Sequence, residues 1–170
     1  MASHERLEAF GNQLIDVHLR LREEPAALRA DVDAYLSDGA SPRELRPHCL
    51  TFCSALNRQH RGENGTAFGV IAAQLPEPAP GTEELRGDHR LVEDSLRRLE
   101  TLVAAPDRCR GTGEAGGPDA VRREVDSTAA LMETHFVYEE KRTVSALNAL
   151  DVPAWRDDRP AFLRTDTPES

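Results

Sequence analysis

The stretch Met132-Glu133-Thr134-His135-Phe136-Val137-Tyr138-Glu139-Glu140 decides how the rest of this chain is read. It lies in a helical pattern that runs from about Pro118 to Leu150. Val121, Val125, Met132, His135 and Glu139 recur at spacings of three, four or seven, so one helix face carries them all. A face of that composition is expected to be buried, and a buried polar side chain needs a partner. Residues i and i+4 of a helix lie about one turn, roughly 6 Å, apart with side chains converging. A metal ion held by His135 and Glu139 would satisfy both. A plain His–Glu hydrogen bond inside a helical core is the other reading of this pair.

The 170 residues suit one domain with a real core. A net charge of −9 argues against binding nucleic-acid backbones or anionic membrane surfaces. No run of about 20 apolar residues exists to span a bilayer, and the start carries no signal-peptide core. Three cysteines, an odd count without a secretion signal, point to reduced thiols and a cytoplasmic protein. Cys49 and Cys53 read as small core residues, and Cys109 as exposed in a Gly-rich loop.

A first helix is expected from Ser3 to about Glu23, with Leu7, Phe10, Leu14, His18 and Leu21 on one face. Pro25 marks either a break or the first turn of a continuation to about Leu36. A turn at 38–42 follows, with Ser41 as N-cap and Pro42 at the first helical position. The second helix carries Leu45, Cys49, Phe52, Leu56, Gln59 and Glu63 in a core register. Gly62, Gly65 and Gly69 weaken it and suggest a kink, and the proline-rich run 76–80 ends it. The third opens at Thr82 as cap and has the stripe Leu85, His89, Val92, Leu96, Leu99 and Val103. A mobile loop over 105–119 leads to the fourth. Val152 to Trp155 reads as a short turn packing back. The expected architecture is all-α: an antiparallel up-down-up-down four-helix bundle over residues 1–156 and a flexible tail over 157–170.

Every one of the four helices carries histidine or glutamate in its apolar stripe: His18; Glu63 with His60; His89; His135 with Glu139. One buried histidine is usually a satisfied core residue. Four helices each interrupting their own core is harder to dismiss, since each uncompensated polar group costs about 1–3 kcal/mol. Facing helices of a bundle build metal sites in this manner. A mixed imidazole and carboxylate set suits iron or manganese better than zinc. His48 sits eleven residues before Gln59, roughly 16–17 Å along the axis, too far to share such a site. His4 reads as exposed, and Glu93 as a solvated charge or an extra carboxylate.

At this point the chain resembles the hemerythrin-like proteins of the HHE cation-binding domain type. The likeness rests on Ile15-Asp16-Val17-His18, on His48 to Leu56, and on Gln59-His60-Arg61-Gly62-Glu63. It continues in Gly87-Asp88-His89 and in His135 to Glu140. The resemblance implies two non-haem irons in a four-helix bundle, bridged by carboxylates. It implies O2, peroxide or nitric oxide as ligands, in a carrier, a sensor or an oxidoreductase. Carried over by position, His18, His89 and His135 match terminal ligands, and Glu63 and Glu139 match the bridging carboxylates. The second helix departs from the pattern: relatives have two adjacent histidines before the glutamate, and here the first is Gln59. His60, three residues before Glu63, is expected to swing toward the vacancy. Asn64 stands where an acid is common, and Tyr138 is expected to face outward or to bond a bridging ligand. A di-iron oxidase or oxygenase acting on a small organic substrate is a second class, which Gln59 favours. A metal-depleted helical binding module for a protein partner is a third.

Overall fold

The protein is described here by a computed structural model that covers residues 9–38, 42–75, 81–104 and 118–165. Helix α1 spans Phe10–Asp38. Phe10, Leu14, Val17, Leu21, Leu28 and Val32 are buried along it, keeping the helical spacing on both sides of Pro25. Of the two readings of Pro25, continuation is therefore the one observed. A proline costs the helix one backbone hydrogen bond, and the burial of Leu21 and Leu28 on either side offsets the loss. His4, Ser41 and Cys109 lie outside the described residues.

Helix α2 (Pro42–Gly62) buries Cys49, Phe52, Cys53, Leu56 and Gln59 on one face. The glycines beyond it do not break the chain direction. Instead the helix widens into a π-helical turn over Glu63–Ala67, in which the Phe68 N–H donates to the Glu63 carbonyl five residues back. It then continues as α3 (Phe68–Gln74), ending at the extended Leu75. The expected kink is thus an inserted residue, which leaves Gly65 and Thr66 exposed while Glu63, Ala67 and Phe68 stay buried.

Helix α4 (Thr82–Ala104) starts one residue earlier than its expected cap implies. The Leu85 N–H donates to the Gly81 carbonyl at 2.8 Å, so Gly81 caps the helix. Gly81 has φ +96° and would set a Cβ 2.8 Å from the Tyr138 hydroxyl, so glycine is required there twice over. Helix α5 spans Pro118–Asn148. Helix α6 (Pro153–Asp157) and a 3₁₀ turn (Ala161–Leu163) follow.

The fold is a helical bundle in which α1 packs on α2 and α5, and α4 packs on α2 and α5. Two apolar clusters form its core. One gathers Leu21, Leu28, Phe52, Leu56, Leu96, Leu99, Met132 and Phe136. The other gathers Phe10, Leu14, Ile71, Leu147, Trp155 and Phe162. On α1 and α5 the buried His18, His135 and Glu139 fall between residues of the two clusters. The stretch expected as a tail over 157–170 includes two residues packed into the second cluster. Phe162 and Leu163 are buried, and Trp155 meets Phe10 and Phe162 edge-on at ring distances of 5.1 and 5.5 Å. Three apolar residues after a charged run are too short a pattern to register as an element.

Helices α1 and α5 meet closely at Gly11. Its N–H donates to Asn148 Oδ1 at 2.8 Å, and a Cβ there would lie 2.4 Å from the Val144 carbonyl oxygen. Gly11→Ala should therefore lower stability by about 1–3 kcal/mol through overpacking. Gly65→Ala, with no neighbour within 4 Å, should leave it unchanged or raise it slightly. Urea midpoints of the two variants check this; equal midpoints would mean that α1 and α5 do not pack backbone to side chain at Gly11.

Candidate metal centre

The six residues singled out by the sequence come together in the polar layer. His18 comes from α1, His60 from the last turn of α2, Glu63 from the π-helical turn, His89 from α4, and His135 and Glu139 from α5. None exceeds 4 % exposure. They fall into two groups, His60 with His89 and His135, and His18 with Glu63 and Glu139. Within each group the potential ligand atoms all lie within 4.8 Å of one another, a spread that one cation can span.

The carboxylates join the groups. Glu139 Oε2 is 3.3 Å from His18 Nε2 and 3.3 Å from His135 Nε2. Glu63 Oε2 is 3.3 Å from His89 Nε2, and its Oε1 accepts from the Gln59 amide at 2.9 Å. The His60 ring stacks on His89 at 3.9 Å and meets His135 edge-on at 5.0 Å. His60 therefore belongs with the other two histidines, and the expected swing toward the His18 side is corrected. Gln59 is bound instead to Glu63, a member of the His18 group.

Many of these atoms have no hydrogen-bond partner: His18 Nε2, both His60 nitrogens, Glu63 Oε2, His89 Nε2, both His135 nitrogens and both Glu139 oxygens. Each orphan of this kind costs about 1–3 kcal/mol, so together they would undo a marginal fold. All are inward-facing nitrogen or carboxylate donors, the set that holds iron or manganese. The residues present fit such ions.

A surrounding ring of contacts sets the imidazoles. His18 Nδ1 lies 2.9 Å from Glu140 Oε1, which also accepts from Arg22 at 2.8 Å. His89 Nδ1 lies 3.0 Å from Asn64 Oδ1, whereas His135 Nδ1 makes no hydrogen bond and has only the Asp88 carboxylate 3.5 Å away. In His18 and His89 an oxygen acceptor at Nδ1 keeps the proton there in the neutral ring and leaves the Nε2 lone pair free for a cation. The Phe136 ring stacks on His18 at 4.0 Å. Sequence reasoning missed Glu140, Arg22 and Asp88. Glu140 and Asp88 adjoin recognised residues, but their pairings cross between helices and leave no mark in local spacing.

The remaining candidates lie elsewhere. His48 is half-buried between Asp31 (2.5 Å) and Glu24 (3.0 Å) of α1. Glu93 pairs at the surface with Arg97 at 2.8 Å. Tyr138 is half-buried under the Arg142 guanidinium and beside Gly81, facing away from the polar layer.

Burial dominates the electrostatics of the metal-free cluster. It holds His60 well below its usual pKa and His89 down to about 3. Burial, with the neighbouring Glu139 charge, raises Glu63 well above the carboxylate range. For Glu139 burial acts upward but is outweighed by His135 and His18, which hold it well below that range. His18 is raised: burial lowers it, and Glu139 and Glu140 more than reverse this.

These directions set the acid response of the metal-free protein. As pH falls below 6.5 the unfolded chain takes up protons that folded His60 and His89 refuse, so stability is lost. Folded Glu63 takes its proton early and offsets one of these until about pH 4.5. Below that Glu139, depressed in the fold, adds a further loss. His18, raised in the fold, is protonated in both states there; its contribution is lost only as pH rises through its folded value. Stability should fall by about 1.4 kcal/mol per pH unit from pH 6 to 4.5 and more steeply below. Denaturant titrations of chelator-treated protein check this, and a flat profile over that range would contradict neutral burial of His60 and His89.

The chain has no significant match among curated proteins or among solved structures. Among protein families, the hemerythrin HHE cation binding domain matches residues 9–147. The matched span contains every residue of the two ligand groups. With most of its length matched and a cation-ready cluster at its centre, the chain belongs to the hemerythrin HHE cation-binding family.

Proposed function

We propose that the protein is a cytoplasmic non-haem di-iron protein that binds O2 or reacts with peroxide or nitric oxide. In this reading the helices form an antiparallel up-down-up-down bundle. The pairing of α1 with α5 supports it: Gly11 meets Asn148, Arg22 meets Glu133, Arg29 meets Asp126 and Arg122 meets Asp33, rising numbers on one helix against falling numbers on the other. The observation that carries the functional reading is the convergence of unpartnered, buried imidazole nitrogens and carboxylate oxygens into two adjoining groups.

His60, His89 and His135 would hold one ion and His18 the other, with Glu63 and Glu139 between them. A bound iron pair supplies exchangeable electrons and an open position for a small diatomic or peroxide ligand. The chain's own residues do the rest. Phe52, Leu56, Met132 and Phe136 keep bulk water from the layer. The Arg22–Glu140 pair fixes His18 and balances charge beside it. Gln59 stands where an imidazole would be a stronger donor, so the His18 side would hold an ion less strongly. That asymmetry favours a second reading as well, an oxidoreductase that uses O2 or peroxide on a small organic substrate.

Protein expressed with added iron should carry up to two ions per chain by elemental analysis. Glu139→Ala should lose both, since this carboxylate touches both groups, whereas His48→Ala should keep them. Folded protein persistently free of transition metal would sink the proposal, and metal loss in the His48 variant would place that residue in the centre.

Gln59→His should raise iron occupancy and slow release to a chelator, because it adds a donor at the His18 side. Release rates equal to those of the parent would mean that Gln59 is a spectator.

A further inference from the structure

A cavity of about 420 Å³ lies between α1, α2 and the C-terminal 3₁₀ turn, and Gln59 lines it. Volumes of this size hold small organic ligands. Val17, Leu21, Phe52 and Ala55 supply an apolar wall. Arg20, Arg58 and Arg164 face Glu23 and Glu24; Glu24 is engaged by His48 at 3.0 Å and Arg164 by Asp158 at 2.8 Å, which sets Arg20 and Arg58 against Glu23. On a chain of net charge −9 this local excess of guanidinium stands out. Gln59 is 2 % exposed; its amide nitrogen is bound to Glu63, and its carbonyl oxygen has no partner. One side chain thus belongs both to the cavity wall and to the ligand cluster.

We propose that this cavity binds a small organic carboxylate with an apolar body. The carboxylate pairs with the arginines, a charge-assisted contact that discriminates against neutral and cationic analogues. The body lies on Phe52 and Ala55, and its far end rests against the Gln59 amide, one side chain from the Glu63 carboxylate. Binding in the cavity stands apart from the di-iron reading; that the bound molecule is felt at the centre, as a substrate or an effector would be, rests on it.

Calorimetry with benzoate on metal-free protein tests the site, with benzamide and benzylamine as matched probes. Benzoate should bind at least tenfold more tightly than either. Ala55→Phe, which fills the cavity, and the double variant Arg20→Ala/Arg164→Ala should each weaken it at least tenfold. Should Ala55→Phe not fold, the arginine variant decides together with Arg20→Ala alone, which leaves the Arg164 bonds to Asp158 and Arg159 in place and should still weaken binding. No benzoate binding, or binding unchanged in the folded variants, overturns the proposal. Cobalt(II)-loaded protein tests the link: saturating benzoate should shift the visible absorption of the ion, and Arg20→Ala/Arg164→Ala should require a higher benzoate concentration for the same shift. Cavity binding without a shift overturns the contact with the centre. Protein that binds benzoate but takes up no metal would end the di-iron reading while the carboxylate site stands.

Discussion

The structure depends on one uncompensated interaction, the Glu139 carboxylate held 3.3 Å from both His18 and His135 in a layer without water access. A carboxylate in that setting must find positive charge, and two imidazoles supply it only while one is protonated. Glu63 answers the same problem differently, by taking a proton. His60 has no protein partner at all for either nitrogen. A cation removes all three difficulties together, which is why the layer makes sense as a site and not as a core.

The apolar clusters on either side hold the layer in place. Polar residues from α1, α2 with its π-helical turn, α4 and α5 interrupt the apolar packing to form the layer. The π-helical turn is where α2 adapts. It starts at Glu63, and its wider backbone brings Glu63 into the layer and Asn64 to His89, while glycine and threonine take the outer side. A regular helix would carry those two side chains about 100° apart with no adjustment to the facing α4.

Gln59 gives the centre its asymmetry. Three histidines gather on one side, while the other has His18, the carboxylates and an amide. The same amide reaches a cavity with a cationic wall, so the weaker side of the cluster is also the side with room next to it. Donor type and neighbouring space therefore change together at one residue.

Sequence alone determined the helical class and the ligand types, because both write themselves into local spacing. Leu85, His89, Val92 and Leu96 share a face whatever they pack against, and His135 and Glu139 converge on any helix. The six ligand-type residues were legible as polar breaks in apolar stripes, and the family likeness follows from the same motifs. Tertiary structure decided which ligand-type residues stand together: His60 faces His89 and His135 because α2 and α4 pack together there, and no spacing within α2 encodes that. It also decided that Glu140, Arg22 and Asp88 support the imidazoles, and that Phe162 and Leu163 close the bundle. Contacts between helices depend on relative rotation and rise, set by packing of the whole core, and periodicity along one helix carries no record of them.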